Sequence, residues 1–350
     1  MTRRPVLRLA VPLAALLLGA APARAQRLDG LVLSARDSTP LAGALLQLLD
    51  SAGARLTQAP SGTDGAFRLA VPGGGRFVVA VLRIGQHPWR SAPLAVANGL
   101  VQRVTLYVPD DPIALAAVSV EARSSCRVSP DDQSLIGNLL AEAQKALTIT
   151  RLAVERSSGY GVQLWRKTLT PQLAVIDSTP EYVVGARWPI QSAPPAVLAA
   201  QGFVHEDSAT AGHPNGVTTY YGPDATTLFS AWFLDTHCFR VLEGSGADRD
   251  AVYVAFEPAR GSRHADIAGR LVIDRTTLAL RRIEWRYVGL PWWVTVEGAA
   301  GELNFVRQPS GLIFPWYWWL RAPIAAVDGQ KRAVKLAGWL EAGGEATGLP

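Results

Sequence analysis

The chain is poor in the residues that build the commonest chemical sites. Of 350 residues, two are cysteine, one is methionine and five are histidine. Two cysteines exclude a disulfide-dense scaffold and a four-cysteine zinc site. Lysine is scarce too, with Lys145, Lys167, Lys331 and Lys335 the whole set. Beyond the first 25 residues no apolar run approaches the roughly 20 residues of a spanning helix. The sequence has no HExxH, no GxSxG elbow and no glycine loop followed by Lys and a helix. These absences remove the usual zinc-peptidase, serine-hydrolase and phosphate-loop signatures.

The amino-terminal end has a clear pattern. Arg3, Arg4 and Arg8 precede an apolar run from Leu9 to Ala20, and Ala23-Arg24-Ala25 supplies small residues where a signal peptidase reads. Residues 1–25 therefore read as a secretory signal peptide cleaved after Ala25. The residue directly after that point is Gln26 and not cysteine, which disfavours a lipid anchor. Four arginines leave with the leader, so 34 basic against 29 acidic residues becomes 30 against 29. Nucleic-acid binding needs clustered excess charge, and no nucleic-acid partner is expected. In an exported chain the two cysteines, Cys126 and Cys238, are expected to form a disulfide. The expected location is the periplasm, the outer-membrane surface or the medium.

From Leu28 to Val108 short apolar segments recur about every ten residues, each closed by a turn: Ser51-Ala52-Gly53, Gly62-Thr63-Asp64-Gly65, Gly73-Gly74-Gly75 and Asn98-Gly99. Alternation such as Phe67/Leu69/Val71 and Val101/Val104/Leu106 points to a small antiparallel sandwich. The runs Gly30-Leu31-Val32, Pro40-Leu41-Ala42-Gly43-Ala44, Thr63-Asp64-Gly65-Ala66-Phe67 and Phe77-Val78-Val79-Ala80-Val81 resemble the bacterial carboxypeptidase regulatory-like domain, a transthyretin-like β-sandwich. That resemblance implies a non-catalytic module attached to exported proteins, with Phe67 in the core. The segment Gly85-Gln86-His87-Pro88-Trp89 departs from the family pattern because its aromatic residue arrives late.

The sandwich is expected over 26–122, a linker over 123–130, a helix with an antiparallel β domain over 131–342, and a tail over 343–350. Ser129, Pro130, Asp131 and Asp132 make a helix start. Leu135, Ile136, Leu139, Leu140, Ala143 and Leu147 then fall on one face, with Glu142 and Lys145 on the polar side. Strand patterns return from Ile149 onward. A short helix capped by Asp224 is expected over 225–233. The clearest hairpin is 269–285, turning at Asp274 to Thr277 and burying Leu271, Ile273, Leu278, Leu280 and Ile283. These strand pairs resemble exported antiparallel half-barrels such as lipoprotein carriers. The whole arrangement is similar to uncharacterised exported bacterial proteins with an amino-terminal carboxypeptidase regulatory-like domain.

The polar residues suggest no catalytic set. His205-Glu206-Asp207 and His213 read as solvated loop, His264-Ala265-Asp266 as a surface strand edge, and His87 as a turn residue, while a disulfide at Cys238 would leave no thiol beside His237. No metal and no cofactor are expected. The unusual feature is aromatic: six of eleven tryptophans fall between Trp285 and Trp319. Trp285, Tyr287, Trp292, Trp293, Trp316, Trp318 and Trp319, with Arg286, form the candidate binding set. Rings at that density would stack on sugar faces or line an apolar groove; a thick aromatic core is the competing reading. The expectation is an exported, non-enzymatic, mainly β protein that binds polysaccharide or another envelope partner. A remote hydrolase and a purely structural envelope protein remain the alternatives.

Overall fold

The computed structural model describes residues 26–113, 124–126, 135–156, 160–186, 189–207, 217–259, 263–294, 298–308, 312–328 and 333–348. The leader and the helix start at Ser129 to Asp132 lie outside them. The protein is mainly β, as the hydrophobic alternation predicts.

The first strands are β1 (Arg27–Ser34), β2 (Leu45–Leu49), β3 (Arg55–Pro60), β4 (Ala66–Ala70), β5 (Gly75–Leu82), β6 (Trp89–Arg90), β7 (Leu94–Val96) and β8 (Val101–Val108). They form one sheet in the order β4-β1-β8 and a second in the order β3-β2-β5-β6, with β7 also paired to β5. Leu28, Val32, Leu46, Leu48, Phe67, Leu69 and Val79 are buried between the two sheets. Burying such side chains supplies about 1.5 to 3 kcal/mol each, before the cost of ordering the chain. Two expectations are corrected. β1 and β8 run parallel, so the sandwich is not wholly antiparallel. Val101 is 47% exposed, because it falls on the opposite face of β8 from Val104, Leu106 and Val108, which pack on the core.

The remaining elements are β9 (Ser124–Ser125), α1 (Leu135–Arg156), β10 (Tyr160–Leu169), β11 (Val175–Ala186), α2 (Pro195–Gln201), β12 (Val204–Asp207), β13 (Val217–Tyr220), α3 (Ala225–Leu228), α4 (Ala231–Thr236), β14 (His237–Glu243), β15 (Ala251–Pro258), β16 (Asp266–Asp274), β17 (Leu280–Val288), β18 (Ala300–Arg307), β19 (Ile313–Asp328) and β20 (Ala333–Gly348). Ten strands make one sheet in the order β11-β10-β20-β19-β18-β17-β16-β15-β14-β9. α1 packs across its inner face, and Ile136, Leu139, Ala143 and Leu147 share a core with Val241, Val254, Leu271, Ile283 and Leu303. The hairpin at 269–285 forms as expected, with all five of its predicted core residues buried. Asp224 caps α3 through the Thr227 N–H at 2.8 Å, and Ser230 restarts the chain as α4. The disulfide Cys126–Cys238 is present and lies beside β9, which borders the sheet next to β14.

Further segments differ from the sequence reading. The helix does not end before Ile149. It continues to Arg156, because Ile149, Ala153 and Val154 prolong the buried stripe and tertiary packing outweighs the β propensity of Ile149 and Val154. The supposed linker contributes β9, and residues 343–348 of the supposed tail are the end of β20. His205 to Asp207 lies in β12, paired with β13, and is not loop.

The sandwich meets the rest of the chain at the segment that departs from the family pattern. Gly85 adopts φ +73, and a Cβ there would lie 2.7 Å from the Thr277 carbonyl oxygen, so glycine is required. Its N–H donates to Glu142 Oε2 at 2.8 Å, and Lys145 Nζ donates to the Arg83 and Gln86 carbonyls at 3.0 and 3.3 Å. Glu142 and Lys145 pair at 2.5 Å and are 2% and 7% exposed. The polar side of α1 is therefore the seat of the sandwich and not a solvated face.

Candidate functional site

In an antiparallel ladder, directly opposite residues project from the same face. One row of the large sheet runs Arg240, Ala255, Arg270, Glu284, Glu302, Trp319, Gly343, Trp165. The adjacent row runs Val241, Val254, Leu271, Ile283, Leu303, Trp318, Gly344, Leu164 by the same pairings. The second row is the core face. The first is the outer face, with charged residues toward β14 and aromatic rings toward β10.

On that outer face two strands, β10 and β19, bring rings together. Trp165 from β10 lies 5.4 Å, centroid to centroid, from Tyr317 on β19, and Tyr317 lies 5.6 Å from Trp316. Gly343 makes room for this: a Cβ there would come within 2.6 Å of the Trp165 ring. Cations cover the flanks. Lys167 Nζ sits 4.9 Å from the Trp165 ring centre and the Arg321 guanidinium 4.7 Å from that of Trp319. Arg321 also donates to Glu341 at 2.7 and 3.1 Å, and Lys167 lies 3.5 Å from the other oxygen of that carboxylate. Glu302 accepts from Asn304 Nδ2 at 2.6 Å. Burial raises the Tyr317 pKa, and Glu341, Glu302 and Glu345 raise it further against Arg321. The Trp165 indole N–H is buried without an acceptor among the described residues. The result is an apolar strip bordered by carboxylates, guanidinium and ammonium, a surface that can stack on a ring and hydrogen-bond its substituents.

The eight expected residues do not form one site. Trp285, Tyr287 and Trp318 are core residues, 3%, 0% and 5% exposed. Trp285 lies against Gly301, where a Cβ would approach its ring to 2.2 Å, and the Tyr287 hydroxyl donates to the Tyr221 carbonyl at 2.9 Å. Burial raises the Tyr287 pKa well beyond the ordinary phenol range. Trp292 is 87% exposed in the turn after β17, with Trp293 half-buried beside it. Arg286 is exposed among Ala268 and Ala300. Trp316 and Trp319 join the outer strip, and Arg286, on the same face, lines a groove with Trp319, Glu284 and Glu302. Parity explains the division, and a bulge between Asn304 and Phe305 leaves Trp316 out of register. The reading missed Trp165, Lys167 and Glu341, which are distant in sequence; their only signal was alternation within β10 and β20.

A pocket of about 470 Å³ is lined by Leu164, Ile190, Tyr220, Trp318 and Leu320, with Trp165 and Gly343 also on its wall. Burial and Glu206 push Tyr220 up to about 12 there. A second pocket, of about 530 Å³, includes Cys126, Trp232, His264 and Asp266. Asp266 is 8% exposed, so it is no surface-edge residue; its Oδ1 lies 3.4 Å from Nε2 of the fully buried His237. His237 stacks on Phe233 at 3.7 Å, with Nδ1 3.1 Å from the Phe233 carbonyl. Among the described residues no three His, Cys, Asp or Glu side chains are grouped to hold a metal. No described helix is long and apolar enough to cross a membrane.

No family model and no curated protein matches the chain. Solved structures with partial likeness include a 9R-lipoxygenase from Cyanothece (11% identity, TM-score 0.20, covering 79% of this chain and 41% of that one). Another is the TIE protein of Bacillus anthracis (8%, 0.21, 89% and 47%), and a third is the major pilin subunit of Bacillus cereus (11%, 0.21, 91% and 95%). The chain thus spans less than half the length of the first two. Likeness at these TM-scores carries no argument about function.

Proposed function

We propose that the protein is an exported, non-catalytic binding protein of the cell envelope that holds carbohydrate on the outer face of its large sheet. The carrying observation is the ring strip of Trp165, Tyr317 and Trp316 beside Arg321, Lys167 and Glu341. Sugars present apolar ring faces edged by hydroxyls, and this strip offers the matching arrangement of rings edged by ionised acceptors and donors. The amino-terminal resemblance to a carboxypeptidase regulatory-like domain and the leader pattern support an exported accessory role. The disulfide is compatible with an extracellular or envelope compartment.

The test is tryptophan fluorescence and calorimetry of the intact protein against soluble hexose and N-acetylhexosamine oligomers. Binding is expected in the wild type and in Trp292→Ala, whose ring lies outside the strip, and is lost in Trp165→Ala. Absence of a response to every glycan rejects the assignment, as does equal binding by folded Trp165→Ala.

A further inference from the structure

A different cavity lies where the sandwich meets α1. It measures about 580 Å³, within the range of small-molecule sites. Its apolar wall combines Phe67 of the sandwich, Ala153 of α1, and Leu312 and Phe314 at the start of β19. Phe67, Ala153 and Phe314 are 5%, 9% and 2% exposed, so the wall is anchored in both cores. The charged lining residues are Arg156, Arg68 and Asp29. Asp29 is already engaged, 3.1 Å from Arg27 and 3.3 Å from Arg68. Arg156, in the last turn of α1, makes one long hydrogen bond among the described residues, 3.4 Å, to the Pro60 carbonyl. Among the described residues no carboxylate lies within ion-pair distance of it. Burial lowers the Arg156 pKa, Glu155 opposes this, and the neighbouring Arg68 charge adds to it.

We infer that this cavity binds a small hydrocarbon-tailed anion, the tail against Phe67, Ala153, Leu312 and Phe314 and the head group on the Arg156 guanidinium. The apolar wall gains from covering by hydrocarbon, and the planar fork of Arg156 suits a carboxylate or phosphate oxygen pair. Asp29, neutralised by two arginines, leaves the mouth with a cationic surplus. Neither neutral sugar nor inorganic anion satisfies both halves of the cavity. The site lies apart from Trp165 and does not depend on the carbohydrate assignment.

The experiment is calorimetry on the intact protein with decanoate, 1-decanol, acetate and phosphatidylglycerol vesicles, the amphiphiles kept below micelle formation. Saturable one-to-one binding of decanoate is expected, at least tenfold tighter than that of 1-decanol, with no uptake of acetate. Adding two methylenes tightens binding by roughly tenfold while room remains. Arg156→Gln brings decanoate to the level of the alcohol, Ala153→Phe fills the cavity and abolishes binding, and Trp165→Ala leaves it unchanged. Equal affinity for the alcohol overturns the proposal, as do vesicle binding without decanoate binding and unchanged affinity in a folded Ala153→Phe protein. Should that variant fail to fold, the Arg156→Gln titrations decide.

Discussion

The two faces of the ten-stranded sheet carry the same kinds of residue for opposite purposes. Trp318 and Trp319 are adjacent in sequence, yet one is buried against the helix side and the other lies half-covered under Arg321. Strand geometry alone separates them, since neighbouring side chains point to opposite faces. On the inner face aromatic rings are spent on packing; on the outer face they lie among paired charges. Tryptophan density is therefore a measure of sheet thickness as much as of binding surface, and the face must be known before a role is assigned.

Truncating the rings gives the sharpest contrast. Trp318→Ala should cost about 3 to 5 kcal/mol, the range for emptying an aromatic core position, whereas Trp319→Ala should cost about 1 kcal/mol. Urea unfolding of both variants measures the difference, and equal losses would erase the distinction between the faces. Ion pairs should divide in the same way. Lys145→Ala strands the buried Glu142 carboxylate and should cost about 3 kcal/mol or more, while Arg240→Ala, which breaks the exposed Arg240–Glu257 pair, should cost under about 1 kcal/mol.

Acid titration should give the smallest effect. The exposed Asp250 carboxylate is held at about 2, chiefly by its hydrogen bonds from Arg281, against an ordinary 3.8. A lowered acid contributes stability above its unfolded value, so this contribution should fade as pH drops from about 3.8 to about 2. Glu142 has the opposite sign. Burial raises it above 4.5 despite Lys145 and the Gly85 N–H, so its contribution is complete below 4.5 and is lost as pH rises through the folded value. Stability measured against pH should lose the acid limb in Asp250→Asn and the higher-pH limb in Glu142→Gln.

Turn chemistry made the sandwich legible. Asp64-Gly65, with Gly65 at φ +73, and Phe67 behind it stand where the pattern places them. The 269–285 hairpin was equally readable, because Asp274 caps its own turn through the Thr276 and Thr277 N–H groups. The aromatic region was not. Trp316-Tyr317-Trp318-Trp319 carries no polar residue to mark parity, and a bulge shifts its frame. Gly343-Gly344 reads as a frayed tail, yet Gly343 lies against Trp165 and Gly344 against Trp318, one ring on each face. Glu142 and Lys145 misled for a related reason: an i,i+3 pair on a helix looks solvated until a second core is placed against it.

The Cys126–Cys238 bond spans 112 residues of sequence, enclosing α1, β10 to β13 and the three short helices α2, α3 and α4. A single protease nick anywhere in that span yields two polypeptides that remain covalently joined. The nicked protein would migrate as one species on a non-reducing gel and fall apart only once thiol is added. Limited digestion therefore reveals where this chain opens only when each sample is run both ways.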